Sequence, residues 1–549
     1  MKKQILTLLA FAWTLVGCQK EKIQLEPIRQ YSGYIKDSIS DENKKNWFLK
    51  DIQKDSLPGI SLHMAKKMVS NRKGKAIVIA VIDTKINTDH NNISGYIWKN
   101  SNEIEGNKVD DDHNGYVDDI MGWNFIGNSD GDDLLYSNYE YTRILKKHDS
   151  IFNNQNEGNE SVNDSFAFAE YKRAKLYYDK ENQEVEANSI QYNFIYSNYK
   201  SGQKIIQDII GDKKITLAII DSLVKEQPNL ADKVMLVRNS IEFDIKEEDM
   251  IDQLDFLQKS KKFYLNLSYD ERRILGDNPE DINNTNYGNS LVNTNTDSLY
   301  HGTLTAGVIA RSLEAIGIDY PDSQIKIMPI SISSFGDEND KDLALAIKYA
   351  VDNGAKVINI SSGKYFSMHR SWVMDAIKYA EEKNVLIINS AGNDNKNLDT
   401  GDFFHFPYDE NYNQEISNFI KVGASGYEKG SFRYTNSNYG KNVVDIFAPG
   451  SDIYTTSTRN KEGFEYVSGT SFAAPLVSLT AGLLYSYHPN LKVSEIKNII
   501  LDSGVAYNIP IEIQVNDKSE NVQFSELSKS GKVVNAYNAL LMAEELSKK

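Results

Sequence analysis

The stretch KAIVIAVID, Lys75–Asp83, decides the fold class of this chain. Its apolar and β-branched residues run without a polar break, which is typical of a strand buried on both faces of a parallel sheet. Similar runs follow at Lys326–Ile332, Lys356–Ile360, Val385–Asn389 and Ile420–Gly423. Amphipathic helical patterns lie between them, at Asp340–Asn353 and Ser371–Lys383. Apolar strands that alternate with amphipathic helices predict an α/β fold, with a mostly parallel sheet flanked by helices.

A segment of different composition interrupts this pattern after its first strand. Residues 129–286 are rich in Tyr, Asn, Lys and Glu, and proline occurs there only at Pro228 and Pro279. Both prolines are expected in loops or at helix boundaries. Apolar residues recur at helical spacing in this segment, for example over Ser165–Tyr178, which predicts a mostly helical insertion. Its charged faces are expected to be solvated helix surface.

The N-terminus has the order of charged and apolar residues that marks an export signal. Lys2 and Lys3 precede an apolar run, Ile5–Val16, that is too short to span a bilayer. The run ends at Cys18, in a context that resembles a bacterial lipobox, where the cysteine is acylated and becomes the mature N-terminus. A plain signal peptide with an incidental cysteine is the alternative. Because Cys18 is the only cysteine, the exported chain can form no internal disulfide.

Composition and charge exclude one class of partner. The 549 residues are 40% hydrophobic and 25% charged, as in a soluble globular protein, and the formal net charge is −16. This negative charge repels phosphate backbones, and no cluster of Lys and Arg offsets it locally. We therefore expect no nucleic-acid partner, while the oligomeric state is left open.

Three short segments carry groups that could do chemistry. Asp83 ends the first strand, at the edge where open α/β sheets place their sites, although an aspartate there could equally start a turn. His301 opens the stretch HGTLTAGVIA, where a structural cap is the alternative. Ser471 stands in SGTSFAAP, and serine also favours helix N-caps. In the order Asp, His, Ser these residues match one of the chain orders that build a Ser-His-Asp triad.

The segments VIAVIDT, HGTLTAG and GTSFAAP, around Asp83, His301 and Ser471, resemble the three active-site signatures of the subtilisin-like serine proteases. The segment NSAGNDN is similar to the oxyanion segment of that family, with Asn393 as the side-chain donor. The resemblance implies a subtilisin-like three-layer α/β fold with the helical insertion added to it. It also implies acyl transfer, in which His301 takes the proton of Ser471 while Asp83 holds the imidazole tautomer.

The same resemblance implies a substrate-binding edge and a division of the chain. The edge that pairs with the substrate backbone and borders the P1 pocket is formed by Ser361, Ser362 and Gly363. The chemistry requires no cofactor. The expected segments are a signal peptide (1–18), a polar tether (19–45), a peptidase domain (46–128 and 287–506), the insertion (129–286) and a C-terminal extension packed on the catalytic domain (507–549).

Three departures from the family pattern affect these expectations. Asp83 and His301 lie 218 positions apart, where typical members have a few tens, so the insertion emerges close to the active site. It either restricts access to the cleft or serves as a scaffold. Lys85 replaces a glycine, and a positive φ there would strain the lysine by about 1 kcal/mol. Ser362 replaces a bulky apolar residue, so the resemblance does not extend to a hydrophobic P1 preference.

An acidic loop, DDDHNGYVDD, has the spacing of a calcium site. Oxygen-bearing side chains stand at Asp110, Asp112 and Asn114, followed by a glycine, as at the start of an EF-hand-type loop. The glutamate that completes such a loop is missing at the expected offset, where Asp118 or Asp119 could substitute. A structural calcium is therefore one hypothesis, and an acidic solvated turn is the other.

Together these features predict a serine endopeptidase that acts on proteins or peptides outside the cytoplasm. Cys18 would tether it to a membrane of the bacterial cell envelope, at the outer membrane or cell surface. The alternative is a catalytically inactive binding or scaffold lipoprotein with the same fold. The joint presence of Asp83, His301, Asn393 and Ser471 favours the enzyme. An α/β-hydrolase esterase would need G-x-S-x-G around the serine and would place serine before histidine, and this chain has neither.

Overall fold

The computed structural model describes residues 27–36, 38–153, 165–318, 323–400, 416–515 and 518–548. The strands are β1 (Gln30–Tyr31), β2 (Ile77–Asp83), β3 (Trp123–Asn124), β4 (Ile325–Ser331), β5 (Ala355–Ile360), β6 (Leu386–Ser390), β7 (Phe419–Ser425), β8 (Ile446–Pro449), β9 (Ile453–Thr456), β10 (Phe464–Val467), β11 (Val505–Tyr507), β12 (Pro510–Val515), β13 (Lys518–Gln523) and β14 (Lys532–Val533). Cys18 lies outside the described residues, so its lipidation stays a prediction.

The α-helices of the described ranges follow in chain order. They are α1 (Asp41–Lys44), α2 (Ile52–Asp55), α3 (Leu62–Val69), α4 (Glu140–Phe152), α5 (Ser165–Ile210), α6 (Leu217–Glu226), α7 (Ala231–Glu242), α8 (Glu247–Lys259), α9 (His301–Ala315), α10 (Asp340–Asp352), α11 (Arg370–Glu382), α12 (Thr470–Tyr487), α13 (Val493–Ser503) and α14 (Ala536–Leu546). None of these helices is both long and apolar enough to cross a lipid bilayer.

Among the described residues, ten strands form one sheet in the order β1-β11-β14-β8-β7-β6-β5-β2-β4-β3. The strands from β8 to β3 in this order are all paired in parallel. The chain passes from β2 to β4 on one side and then crosses to β5 on the other, so the strand order reverses at β2. In open parallel sheets the carboxyl ends of the strands at such a reversal form the binding crevice. Asp83 is the last residue of β2.

Helices cover both faces of this sheet. On one face, α3, α9, α12, α13 and α14 pack in a cluster that includes Ile79 and Val81. On the other face, α10 and α11 pack in a cluster that includes Ala80 and Ile82. Successive residues of a strand point to opposite faces, and both faces of β2 are buried, which explains the unbroken apolar run in its sequence. The predicted α/β fold is confirmed.

The segment between β3 and α9 is mostly helical and contains α4 to α8. Its longest helix, α5, has 46 residues. The start of α5 packs with α4 against Phe366, which follows β5. The far end of α5 forms a separate apolar cluster with α6 and α7. Pro228 begins a short 3₁₀ turn between α6 and α7, at a helix boundary as predicted.

Candidate active site

The carboxylate of Asp83 and the ring of His301 are paired at the carboxyl end of β2. Asp83 is 1% exposed. Its Oδ1 lies 2.7 Å from His301 Nδ1 and accepts a hydrogen bond from the Thr84 backbone N–H at 2.7 Å. Its Oδ2 accepts a hydrogen bond from Thr305 Oγ1 at 3.2 Å. The carboxylate is therefore fixed by three donors, and it orients the imidazole ring through Nδ1.

His301 is the first residue of α9, and one third of its side chain is exposed. Burial by itself would lower the pKa of His301. The charge of Asp83 and its hydrogen bond act in the opposite direction, and the charge of Glu338 adds to them, so that the pKa is raised above 6.5. Two carboxylates thus favour the imidazolium form of this ring.

Ser471 lies in the first turn of α12, which begins at Thr470. Its Oγ donates a hydrogen bond to the carbonyl oxygen of Ser361 at 3.0 Å, and Ser361 Oγ donates to the carbonyl oxygen of Ser471 at 2.8 Å. In the part of the chain that the structure describes, no hydrogen bond joins Ser471 to His301. The rings of His301 and Phe472 are 5.7 Å apart between centroids, which places the histidine beside the residue that follows the serine.

Asn393 is held by the start of the same helix. Its Oδ1 accepts hydrogen bonds from the Thr470 backbone N–H at 2.9 Å and from Thr470 Oγ1 at 3.2 Å. The amide nitrogen is thereby directed away from Thr470. A Cβ atom on Gly469 would lie 3.4 Å from this nitrogen, and the φ of Gly469 is 153°, which L side chains rarely adopt. The backbone conformation, rather than a lack of space, therefore favours glycine before Thr470.

A cavity of about 370 Å³ lies beside Asn393 and Ser471. The predicted substrate-binding residues Ser361, Ser362 and Gly363 line it, together with Asn393 and Ser471. The structure therefore brings the predicted edge, the predicted amide donor and the predicted nucleophile to one cavity. A side chain of a substrate bound along this edge has room to enter it.

The insertion contacts the chain directly after this edge. Lys364 Nζ lies 3.1 Å from the Glu140 carboxylate of α4 and 2.9 Å from the Asp340 carboxylate of α10. Arg173 of α5 places its guanidinium 3.8 Å from the centre of the Phe366 ring and donates to the carbonyl oxygen of Tyr365 at 2.9 Å. These contacts could not be predicted from the sequence, because the pattern of lysines and arginines does not show which distant carboxylate or ring each one meets.

Lys85 has a structural function that its sequence context did not indicate. It is not among the residues with positive φ, so the anticipated strain is absent. Its side chain is fully buried, and its Nζ lies 2.9 Å from the Asp133 carboxylate and donates to the Leu291 carbonyl oxygen at 2.5 Å. Burial lowers the pKa of Lys85, and Asp133 opposes this shift. The lysine thus links the segment after β2 to Asp133 at the start of the insertion and to Leu291 just beyond its end.

The acidic loop gathers carboxylates that differ in part from the predicted set. Oxygens of Glu103, Asp112 and Asp119 lie within 4.8 Å of one another. The carboxylate of Asp110 instead accepts backbone N–H groups of Asn114 and Gly115. That of Asp118 accepts the backbone N–H groups of residues 106–108. Burial and the charge of Asp112 raise the pKa of Asp119 to about 6, against hydrogen bonds that lower it.

Comparison with known proteins adds an independent finding. The model of the subtilase family, peptidase S8, matches residues 212–528, which is more than half of this chain. The match includes His301, Asn393 and Ser471. Asp83 lies outside it, and only the fold places Asp83 against His301.

Individual relatives match shorter stretches. The cell wall-associated protease of Bacillus subtilis is 36% identical over 221 residues, which are 39% of this chain and 23% of that protein. Thermitase of Thermoactinomyces vulgaris is 34% identical over 190 residues, which are 34% of this chain and 61% of thermitase. In both cases the match spans less than two thirds of the relative. This chain also resembles a lanthipeptide protease of known crystal structure, with 26% sequence identity and a TM-score of 0.34. The alignment covers 44% of this chain and 75% of the lanthipeptide protease chain.

Proposed function

Because this chain belongs to the subtilase family of serine peptidases, we propose that it is a serine endopeptidase that hydrolyses proteins or peptides through an acyl-enzyme on Ser471. The observation that supports this most directly is the 2.7 Å contact between Asp83 and His301 at the carboxyl end of β2. The contact joins residues from opposite sides of the long insertion, and the ring of His301 lies 5.7 Å from that of Phe472, the residue after Ser471.

The proposed mechanism assigns one task to each group. The carboxylate of Asp83 holds the proton of His301 on Nδ1, which leaves Nε2 as the base for the Ser471 hydroxyl. The alkoxide attacks the scissile carbonyl, and His301 then gives the proton to the leaving amine. Water attacks the acyl-enzyme in the second half of the reaction, and the same histidine serves again as base.

The tetrahedral intermediates carry negative charge on the former carbonyl oxygen. The Asn393 amide nitrogen is oriented by the bonds from Thr470 to its oxygen. The backbone N–H of Ser471 lies in the first turn of α12, where helical N–H groups have no intrahelical acceptor. We assign these two groups to the oxyanion, since donors fixed before the reaction stabilise developing charge most effectively.

The serine itself must turn for this mechanism. Rotation about its Cα–Cβ bond moves the hydroxyl from the Ser361 carbonyl to another staggered position. Catalytic hydrogen bonds are often poorly aligned without substrate and tighten in the complex. We therefore assign the contact between Ser471 and Ser361 to the substrate-free state, in which Ser361 is not yet engaged by a peptide.

The proposal also includes a place of action and an ion. Export and acylation at Cys18 would hold the enzyme on the cell envelope, and the support for this is the N-terminal sequence alone. A structural calcium would bind Glu103, Asp112 and Asp119, because hard cations prefer carboxylate oxygens and one of these carboxylates is fully buried. The ion would have no function in the chemistry.

A fluorophosphonate probe tests the catalytic proposal, because it reacts only with an activated serine. We expect the folded wild type to be labelled at Ser471, and labelling to be lost in Ser471→Ala and strongly reduced in His301→Ala. Ser478→Ala is the matched control, since Ser478 lies on the same helix and is buried, hydrogen-bonded to Asn359. A folded wild type that remains unlabelled would favour the inactive scaffold.

A further inference from the structure

A buried lysine lies in the wall of the cavity beside Ser471. Lys421 on β7 is the register partner of Asn389 on β6, and Asn389 is the partner of Ile360 on β5. Paired residues of neighbouring parallel strands project to the same face of a sheet. These three side chains therefore form a row across the sheet, and all three line the cavity. Lys421 is only 2% exposed.

The position of the ammonium group is fixed by Asn389. The side-chain amide nitrogen of Asn389 donates to the carbonyl oxygens of Ile360 at 3.0 Å and Ser362 at 2.8 Å. Its oxygen accepts from Lys421 Nζ at 2.7 Å. Both ends of the amide are thus used, and the lysine is tied to the backbone of the substrate-binding edge through one side chain.

The ammonium group of Lys421 has no counter-ion among the described residues. It carries three N–H donors, of which Asn389 takes one, and the Phe419 ring lies 5.8 Å away. The carboxylate that affects the pKa of Lys421 is that of Asp445. It accepts the Lys421 backbone N–H at 2.7 Å and lies 3.4 Å from Lys529 Nζ. Burial lowers the pKa of Lys421 to about 7, and Asp445 offsets this only in part. A buried cation without a partner is unstable unless an anion joins it.

The other charged residues that line the cavity are satisfied or solvated. Lys364 is paired with Asp340 and Glu140. Asp394 is exposed and Glu338 is half-exposed, so water screens both carboxylates. Among the described residues that line the cavity, Lys421 is therefore the one buried cation without a counter-ion, and the carboxylates without a cation partner lie near the solvent.

We propose that this cavity selects an acidic side chain at P1, with the ammonium group of Lys421 as the recognition group. The proposal rests on the proposed peptidase function and names its substrate class. Apolar side chains form much of the wall, including Leu343, Ile347, Val373 and Ile377. They suit the methylene groups of glutamate, whose carboxylate replaces the missing counter-ion of Lys421. Ser362 adds no bulk that would close the entrance to such a side chain.

Peptide substrates that differ only at P1 test this proposal at pH 7. For the wild type we expect kcat/KM with P1 Glu to exceed that with P1 Gln, its uncharged isostere, by tenfold or more, and to exceed that with P1 Phe. Lys421→Met keeps the length of the side chain and removes the charge. In this variant we expect the Glu to Gln ratio to fall to about one and hydrolysis at P1 Phe to increase. Lys326→Met is the control, because Lys326 is a partly buried lysine of the same sheet that bonds the Gly95 carbonyl oxygen, and it should leave the ratio unchanged.

A binding measurement separates specificity from catalysis. Ser471→Ala removes turnover, so the dissociation constants of the same peptides can be compared in that background. We expect P1 Glu to bind at least tenfold more tightly than P1 Gln, and Lys421→Met to abolish the difference. Equal affinities for the two peptides, a preference for P1 Phe, or a ratio unaffected by Lys421→Met would each overturn the proposal. These results stand whether or not the fluorophosphonate probe labels Ser471, so failure of the peptidase proposal is recognised separately.

Discussion

The buried ion cluster that joins the insertion to the peptidase layers gives a quantitative prediction. Glu140 of α4 is 1% exposed. Its carboxylate lies 2.5 Å from Arg143 and 3.1 Å from Lys364, and it accepts the Met368 backbone N–H at 2.9 Å. Glu140→Gln keeps the shape of the side chain and an acceptor for Met368, but it removes the negative charge between two cations.

The expected loss of stability follows from two arguments that agree. Burial would raise the pKa of Glu140, but Lys364, Arg143 and the hydrogen bonds lower it from 4.5 to about 2. That difference corresponds to about 3 kcal/mol in favour of the ionised form in the folded chain. Breaking a buried ion pair by removal of one partner costs about 3–5 kcal/mol. We therefore expect Glu140→Gln to reduce the free energy of unfolding by about 3 kcal/mol at pH 7.

Urea unfolding followed by tryptophan fluorescence measures this loss. Glu247→Gln is the matched control, since Glu247 and Lys200 are also 2.7 Å apart but have side chains that are 30% and 49% exposed. Its cost should stay below about 1 kcal/mol. Because the pKa of Glu140 is lowered on folding, its contribution is complete above pH 4.5 and declines as the pH falls through about 2. Equal costs for the two variants, or a difference that grows on acidification, would refute the reasoning.

Two further predictions concern the pH dependence and the acidic loop. In the proposed mechanism neutral His301 is the base. Because Asp83 and Glu338 raise its pKa, kcat/KM should rise with pH through a midpoint above 6.5, and Glu338→Gln should shift this midpoint to lower pH. An unchanged midpoint in that variant would contradict the assignment of the Glu338 charge. The midpoint of thermal unfolding should be higher with calcium than with EGTA. Asp112→Asn should abolish this increase. Asp130→Asn, which changes an exposed aspartate nearby, should leave it intact. Identical midpoints with calcium and with EGTA would exclude the ion.

The fold could be predicted because a strand that is buried on both faces has an unbroken run of apolar residues in its sequence. The run at Lys75–Asp83 became β2, Ile77–Asp83, and the helix predicted over Asp340–Asn353 became α10, Asp340–Asp352. The ends differ because a strand stops where its pairing stops, and Ile77 is the first residue of β2 paired with β4. Pairing register depends on the neighbouring strand and is not encoded locally.

The candidate site could be predicted only where a residue type and a local motif carry the information. The pairing of Asp83 with His301 followed from the order of motifs. The buried position of Lys421 could not be predicted, because a lysine in the run at Ile420–Gly423 is expected to face solvent unless the neighbouring strands are known. The acidic loop shows the same limit. Alternating oxygens identify residues that are close in sequence, whereas Glu103 reaches Asp112 from an earlier turn.

The placement of β2 between β4 and β5 also bears on the order in which the chain can assemble. Both partners of this strand lie beyond the insertion, as the pairings of Ile77 with Ile325 and of Ile79 with Val357 show. During synthesis the apolar segment of β2 therefore has no strand to pair with until more than two hundred further residues have been made. Such exposed strands invite aggregation and slow folding. Asp83 and His301 can therefore pair only late in folding, after the residues beyond the insertion have been made.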